Sequence, residues 1–123
     1  MNPLDKALIC VDIIRERKAT DLVLFEVGTL TSIADYFLIA SGKSSRQVQA
    51  MAQHLQSRMK EKGFTRFGVE GEREGHWILV DYGDVVIHLF YQPVREFYDL
   101  EGLWVEAPRV TIERQRETRK NEI

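Results

Sequence analysis

The side chains able to do chemistry in this 123-residue chain fall into a few short constellations. Ser41-Gly42-Lys43-Ser44-Ser45-Arg46 resembles a phosphate loop, but that pattern needs a glycine five positions before Gly42, and position 37 is Phe37. What remains is a helix N-terminus bearing Lys43, Ser44, Ser45 and Arg46. It is a candidate anion site for a phosphate or a partner's carboxylate, weighed against plain helix capping, which the pattern favours. Glu70 and Glu72 have the one-residue spacing of a metal-binding carboxylate pair in nucleotidyl transfer. They lie beside Gly71 and Gly75 in an expected turn, where carboxylates are ordinarily just solvated. Asp81 and Asp84 flank another tight turn, where aspartate commonly accepts from nearby backbone amides.

His54, His76 and His88 show no metal-ligand spacing. His88, between Ile87 and Leu89, reads as a hydrogen-bonded structural histidine. No Gly-x-Ser-x-Gly elbow is present. The single cysteine, Cys10, excludes an internal disulfide and a multi-cysteine zinc site; it reads as a small buried hydrophobe in a reducing compartment. The expectation is a protein without catalytic residues, metal or cofactor.

The aromatic residues are more suggestive. Trp77, Tyr82, Tyr91, Phe97, Tyr98 and Trp104 gather late in the chain, interleaved with Arg95, Glu96, Asp99 and Glu101. Trp, Tyr and Arg dominate the energetics of protein interfaces, so two or three of the six are expected on one exposed surface. The others belong to the core, with Phe97 and Trp104 as candidates for pinning the last helix.

These residues need elements to hold them. Asn2 as cap, Pro3 at the first helical position and the spacing of Leu4, Ala7, Leu8 and Val11 predict a helix ending near Arg17–Lys18. Asp21–Val27 and Tyr36–Ser41 are apolar on both alternating faces, the mark of strands covered on two sides. Ser44 with Gln47 forms a capping box before the stripe Val48, Met51, Ala52, Leu55 and Met59, and Gly63 stops that helix. Strands follow at Phe67–Glu70, Trp77–Asp81 and Val85–Tyr91, the last two joined by the short turn Tyr82-Gly83-Asp84. Pro93 opens a final short helix. The order αββαβββα predicts an α/β fold with a single mixed five-stranded sheet and flanking helices.

Composition sets the frame. With 44% apolar and 29% charged residues, the chain is globular and long enough for its own core. No apolar run approaches a membrane span. The start, Met1 to Lys6, lacks signal- or transit-peptide character, so a cytoplasmic address is expected. The net charge of −2 argues against a protein held mainly by nucleic-acid phosphates. Divided by position, residues 1–108 carry 12 basic and 16 acidic side chains, whereas residues 109–123 carry 5 and 3. The expected organisation is a domain over 1–108 and a charged, mobile tail over 109–123.

Several motifs together resemble the ribosomal silencing factor (Iojap-like) family. They are Thr31-Ser32-Ile33-Ala34-Asp35-Tyr36-Phe37 with Ser41 to Val48; Val69-Glu70-Gly71 followed by Trp77; Asp81 to His88; and Arg95 to Glu101 with Leu103-Trp104. The match is collinear over about residues 4–108. The resemblance implies a nucleotidyltransferase-like fold without transferase activity. It also implies binding to ribosomal protein fourteen of the large subunit, which blocks joining of the small subunit and represses translation under nutrient limitation. An acidic domain suits such a basic partner. The binding surface so implied comprises Trp77, Leu79, Asp81, Asp84, Arg95, Tyr98 and Asp99. Trp77 and Tyr98 are the expected anchors; Asp81, Asp84, Arg95 and Asp99 are expected to orient the partner through charged hydrogen bonds. The family resemblance also implies a homodimer off the ribosome, for which an exposed sheet edge offers a route. The basic tail is a candidate for peripheral contact with ribosomal RNA. The alternatives are a Mg-dependent nucleotide-binding enzyme and a dimeric scaffold without a ribosomal role.

Overall fold

The computed structural model describes residues 1–112. Helix α1 spans Pro3–Arg15, and the Asn2 side chain accepts from the Asp5 amide at 2.8 Å, the cap read from the sequence. Strands β1 (Thr20–Glu26) and β2 (Tyr36–Gly42) follow, then α2 (Ser45–Glu61). Next come β3 (Gly68–Glu70), β4 (Trp77–Asp81) and β5 (Val85–Tyr91), then the short helices α3 (Gln92–Tyr98) and α4 (Leu100–Leu103), and finally β6 (Arg109–Val110).

The strands form one mixed sheet in the order β3-β4-β5-β2-β1-β6. At its centre β2 and β5 run parallel, with Ile39 opposite His88; the other pairings are antiparallel. The sheet therefore has six strands and not the expected five. The extra strand falls at the start of the stretch read as a tail: Val110 pairs with Leu24 and Arg109 with Phe25. Ile112 is buried, and its carbonyl accepts from Arg15 at 2.9 Å. Two residues beside charged neighbours carry no periodicity, so only the free edge of β1 reveals this strand. The expected contact of the tail with ribosomal RNA lies, from residue 113 onward, outside the described residues. The final helix is also split, because Asp99 adopts a left-handed conformation (φ 47°), ending α3, and its carbonyl accepts from the Gly102 amide.

Alternation along the central strands separates two cores. Leu38, Ala40, Ile78, Val80, Ile87 and Leu89 point to one face, where the stripes of α1 and α2 close over them. Phe37, Ile39, Val86 and Phe90 point to the other, which only α3, α4 and the approach to β6 cover. On this second face Trp77 and Leu79 are only partly buried.

Candidate functional site

The second face is where the exposed aromatic side chains gather, and a backbone constraint sets where it begins. Gly71 turns the chain between β3 and β4 with φ +84°, and a Cβ there would lie 2.1 Å from the Trp77 carbonyl oxygen. Only glycine permits that approach, which fixes where β4 starts and hence where Trp77 projects. The Trp77 indole stacks on Phe90, its cross-strand partner, at 4.9 Å and 27°. It leans on Tyr98 at 5.1 Å, and Tyr98 meets Phe97 edge-on at 5.1 Å. Phe97 is 81% exposed and Tyr98 54%, so these two form the solvent side of the cluster. Beside them runs a groove of about 510 Å³ with Trp77, Glu74 and His76 on one wall and Phe97 and Tyr98 on the other. Phe97 thus stands in solvent, contrary to the expectation that it pins the last helix. Trp104 takes that task, packing edge-on against Phe37 at 5.1 Å.

Helix α3 is held to the sheet by a buried charge. Arg95 is 8% exposed; it donates to Ser41 Oγ at 2.7 Å and to both carboxylate oxygens of Glu101 at 3.0 Å. The guanidinium beside Glu101 holds that carboxyl below its ordinary range. This two-pronged clamp ties α3 and α4 to β2 and so places Phe97 and Tyr98. Arg95, expected to orient a partner, directs these donors inward, because the αL turn at Asp99 brings Glu101 back over the same helix. Around the clamp a cavity of about 580 Å³ is lined by Asp21, Glu96, Asp99 and Glu101, giving the aromatic cluster an acidic flank.

The remaining expected residues divide between two ends of the hairpin. Leu79 and the exposed Asp99 lie on or beside the open face. Asp81 and Asp84 sit at the turn, about 13 Å along β4 from Trp77 at the usual rise per residue. There Asp81 Oδ1 accepts from the Gly83 amide at 2.7 Å, and Asp84 pairs with Lys6 at 2.6 Å. Both carboxylates have structural partners in the turn, because Gly83 (φ +86°) and the start of α1 lie against it. At the N-terminus of α2, Ser44 Oγ accepts from the Gln47 amide at 3.0 Å, and Gln47 Oε1 accepts from the Lys43 amide at 2.7 Å. Lys43 and Arg46 are exposed and Ser45 half-buried around this reciprocal cap. Glu70 is exposed and Glu72 accepts from Gln56 at 2.9 Å. Among the described residues, no three His, Cys, Asp or Glu side chains are grouped to hold a metal ion.

One participant has the sequence setting of a structural histidine. His88, on β5 opposite Leu79, is 5% exposed, and its Nδ1 accepts from the Trp77 indole N–H at 3.2 Å. Burial pushes its pKa down to about 4, so it is neutral at physiological pH. The only sequence signal was its place in the alternation Val86, His88, Phe90, which sets it on the open face.

Fold and site together define a small α/β protein with one closed sheet face and one aromatic face flanked by carboxylates. Its sequence matches the family described as "Ribosomal silencing factor during starvation" over residues 1–123. It is 39% identical over 105 residues to the ribosomal silencing factor RsfS of Halalkalibacterium halodurans, covering 85% of this chain and 90% of that protein. Against the factor of the same name in Haemophilus influenzae it is 46% identical over 87 residues, covering 71% and 85%. A crystal structure of a Chromobacterium violaceum protein superimposes with a TM-score of 0.83 at 36% identity, covering 85% of this chain and 87% of that one. The chain belongs to the ribosomal silencing factor family. No helix among the described residues is long and apolar enough to cross a membrane.

Proposed function

We propose that this protein is a cytoplasmic, non-enzymatic translational repressor that docks on ribosomal protein fourteen of the large subunit and thereby blocks joining of the small subunit. The observation that carries this reading is the half-covered sheet face, where Trp77, Phe97 and Tyr98 form one contiguous aromatic surface beside a carboxylate-lined cavity. Aromatic anchors with a polar rim are what a protein-docking patch requires. Carboxylates at that rim suit a basic partner, because complementary charge speeds and orients encounter. In this reading Trp77 and Tyr98 are the anchors, Leu79 fills the patch, and Asp99 contacts the partner at its edge. Off the ribosome the protein pairs with a second copy, and the outer strands β3 and β6 of the sheet offer routes.

Sedimentation with purified large subunits tests the proposal directly. Cosedimentation, followed by loss of subunit joining when small subunits are added, is the expected result. Failure to cosediment, or joining that proceeds unimpeded, would overturn it.

A further inference from the structure

Three polar or charged side chains are buried among the described residues: Ser41, His88 and Arg95. Ser41 and Arg95 satisfy one another with help from Glu101. His88 is different, because its Nε2 is buried with no hydrogen-bond partner among the described residues. Its Nδ1 accepts the indole N–H of Trp77, so the neutral ring carries its own proton on the orphaned Nε2. A buried donor left unmade costs stability. Its surroundings are suited to an apolar residue: Ile39 and Leu79 are its cross-strand neighbours, and Phe37 meets it edge-on at 5.1 Å. Leucine there would pack without an orphaned polar atom. What leucine lacks is an acceptor for Trp77.

That acceptor does something stacking does not. Contact with Phe90 and Tyr98 restricts the plane of the indole, but apolar contact tolerates a half-turn about the Cβ–Cγ bond, which keeps that plane and exchanges the ring's edges. The directional hydrogen bond fixes which edge of the ring faces inward, and therefore which edge meets solvent. We propose that His88 is a positioning residue for docking, acting through Trp77 and held in the sheet at a cost to stability. This rests on the reading of the Trp77 face as the docking surface.

The test uses the full chain with His88→Leu and His88→Asn, following thermal stability, the Trp77 indole ¹H–¹⁵N signal and affinity for large subunits. Trp77→Phe assigns that signal against the one from Trp104. His88→Leu is expected to raise the melting temperature, move the Trp77 indole signal and weaken subunit binding about fivefold, the worth of one modest hydrogen bond. His88→Asn, which offers an oxygen in place of Nδ1, is expected to restore the indole signal and most of the affinity. A His88→Leu protein that melts lower, with its indole signal and affinity unchanged, would make His88 an ordinary structural residue and end the proposal. An unmoved indole signal ends it whatever the subunits do. A moved signal in a protein whose Trp77→Ala variant binds subunits as tightly as the wild type instead overturns the docking reading.

Discussion

On the side of the sheet covered by α1 and α2, Leu38, Ile78, Val80, Ile87 and Leu89 are fully buried beneath the apolar stripes of the two helices. On the side covered by α3 and α4, Trp77 and Leu79 are half-covered, Phe97 and Tyr98 face solvent, and the buried Ser41, His88 and Arg95 are found. The first face is a close-packed core whose purpose is stability. The second combines a small core with directional bonds: Arg95 fixes the helices that carry Phe97 and Tyr98, and His88 holds the ring of Trp77. Apolar burial is strong but non-directional, so a surface that must keep one shape needs hydrogen bonds as well.

Mutations on the two faces should therefore separate stability from docking. The largest effect expected is from Leu38→Ala on the closed face, which leaves a cavity costing about 3 kcal/mol in urea unfolding while the folded fraction still binds large subunits. A cost below about 1 kcal/mol would mean that the closed face is not the main source of stability. On the open face, Trp77→Ala should weaken subunit binding by about 2 kcal/mol, with a smaller loss of stability because the ring is half-exposed. Equal losses in both measurements would erase the distinction.

The pH dependence of stability sharpens the comparison from the histidine side. The folded pKa of His88 is about 4 against an ordinary 6.5. As pH falls through 6.5 the unfolded chain takes up this proton first, so stability declines until pH approaches 4. Between pH 7 and 5 the contribution is about 2 kcal/mol, and it should vanish in His88→Leu. Glu101 acts in a different window: its carboxyl is held below 4.5 by Arg95, so the clamp's contribution is present above that pH and is lost as pH falls through the lowered value. Denaturant titrations of wild type and His88→Leu from pH 7 to well below pH 4 distinguish the two. The smallest effect on stability is expected at Phe97, already in solvent: Phe97→Ser should change unfolding by less than about 0.5 kcal/mol. A measurable loss of subunit binding in that variant would extend the docking face beyond Trp77 and Tyr98.

The elements of the closed face were legible because their signals are local. The Asn2 and Ser44 caps, the stripe from Val48 to Met59 and the apolar runs of β1 and β2 each follow from neighbours a few residues apart. The open face was legible in its residue types and not in their roles. Trp77 and Tyr98 stand out in the sequence, but the inward commitment of Arg95 depends on a left-handed Asp99 that folds Glu101 back over α3. Asp81 and Asp84 stand out as acids, but their bonds to the Gly83 amide and to Lys6 depend on how the turn meets α1.

The sequence by itself determined the α/β class, the caps that start the first two helices, the aromatic enrichment and the acidic balance of residues 1–108, because composition and short-range periodicity are properties of the chain alone. Only the tertiary structure decided that β6 pairs with β1, that Phe97 is exposed while Trp104 packs against Phe37, and that His88 meets Trp77 across two strands. Those outcomes depend on strand order and register. One register places Trp77 opposite Phe90 and diagonal to His88; a shift by one residue would have turned the indole toward the helices of the closed face.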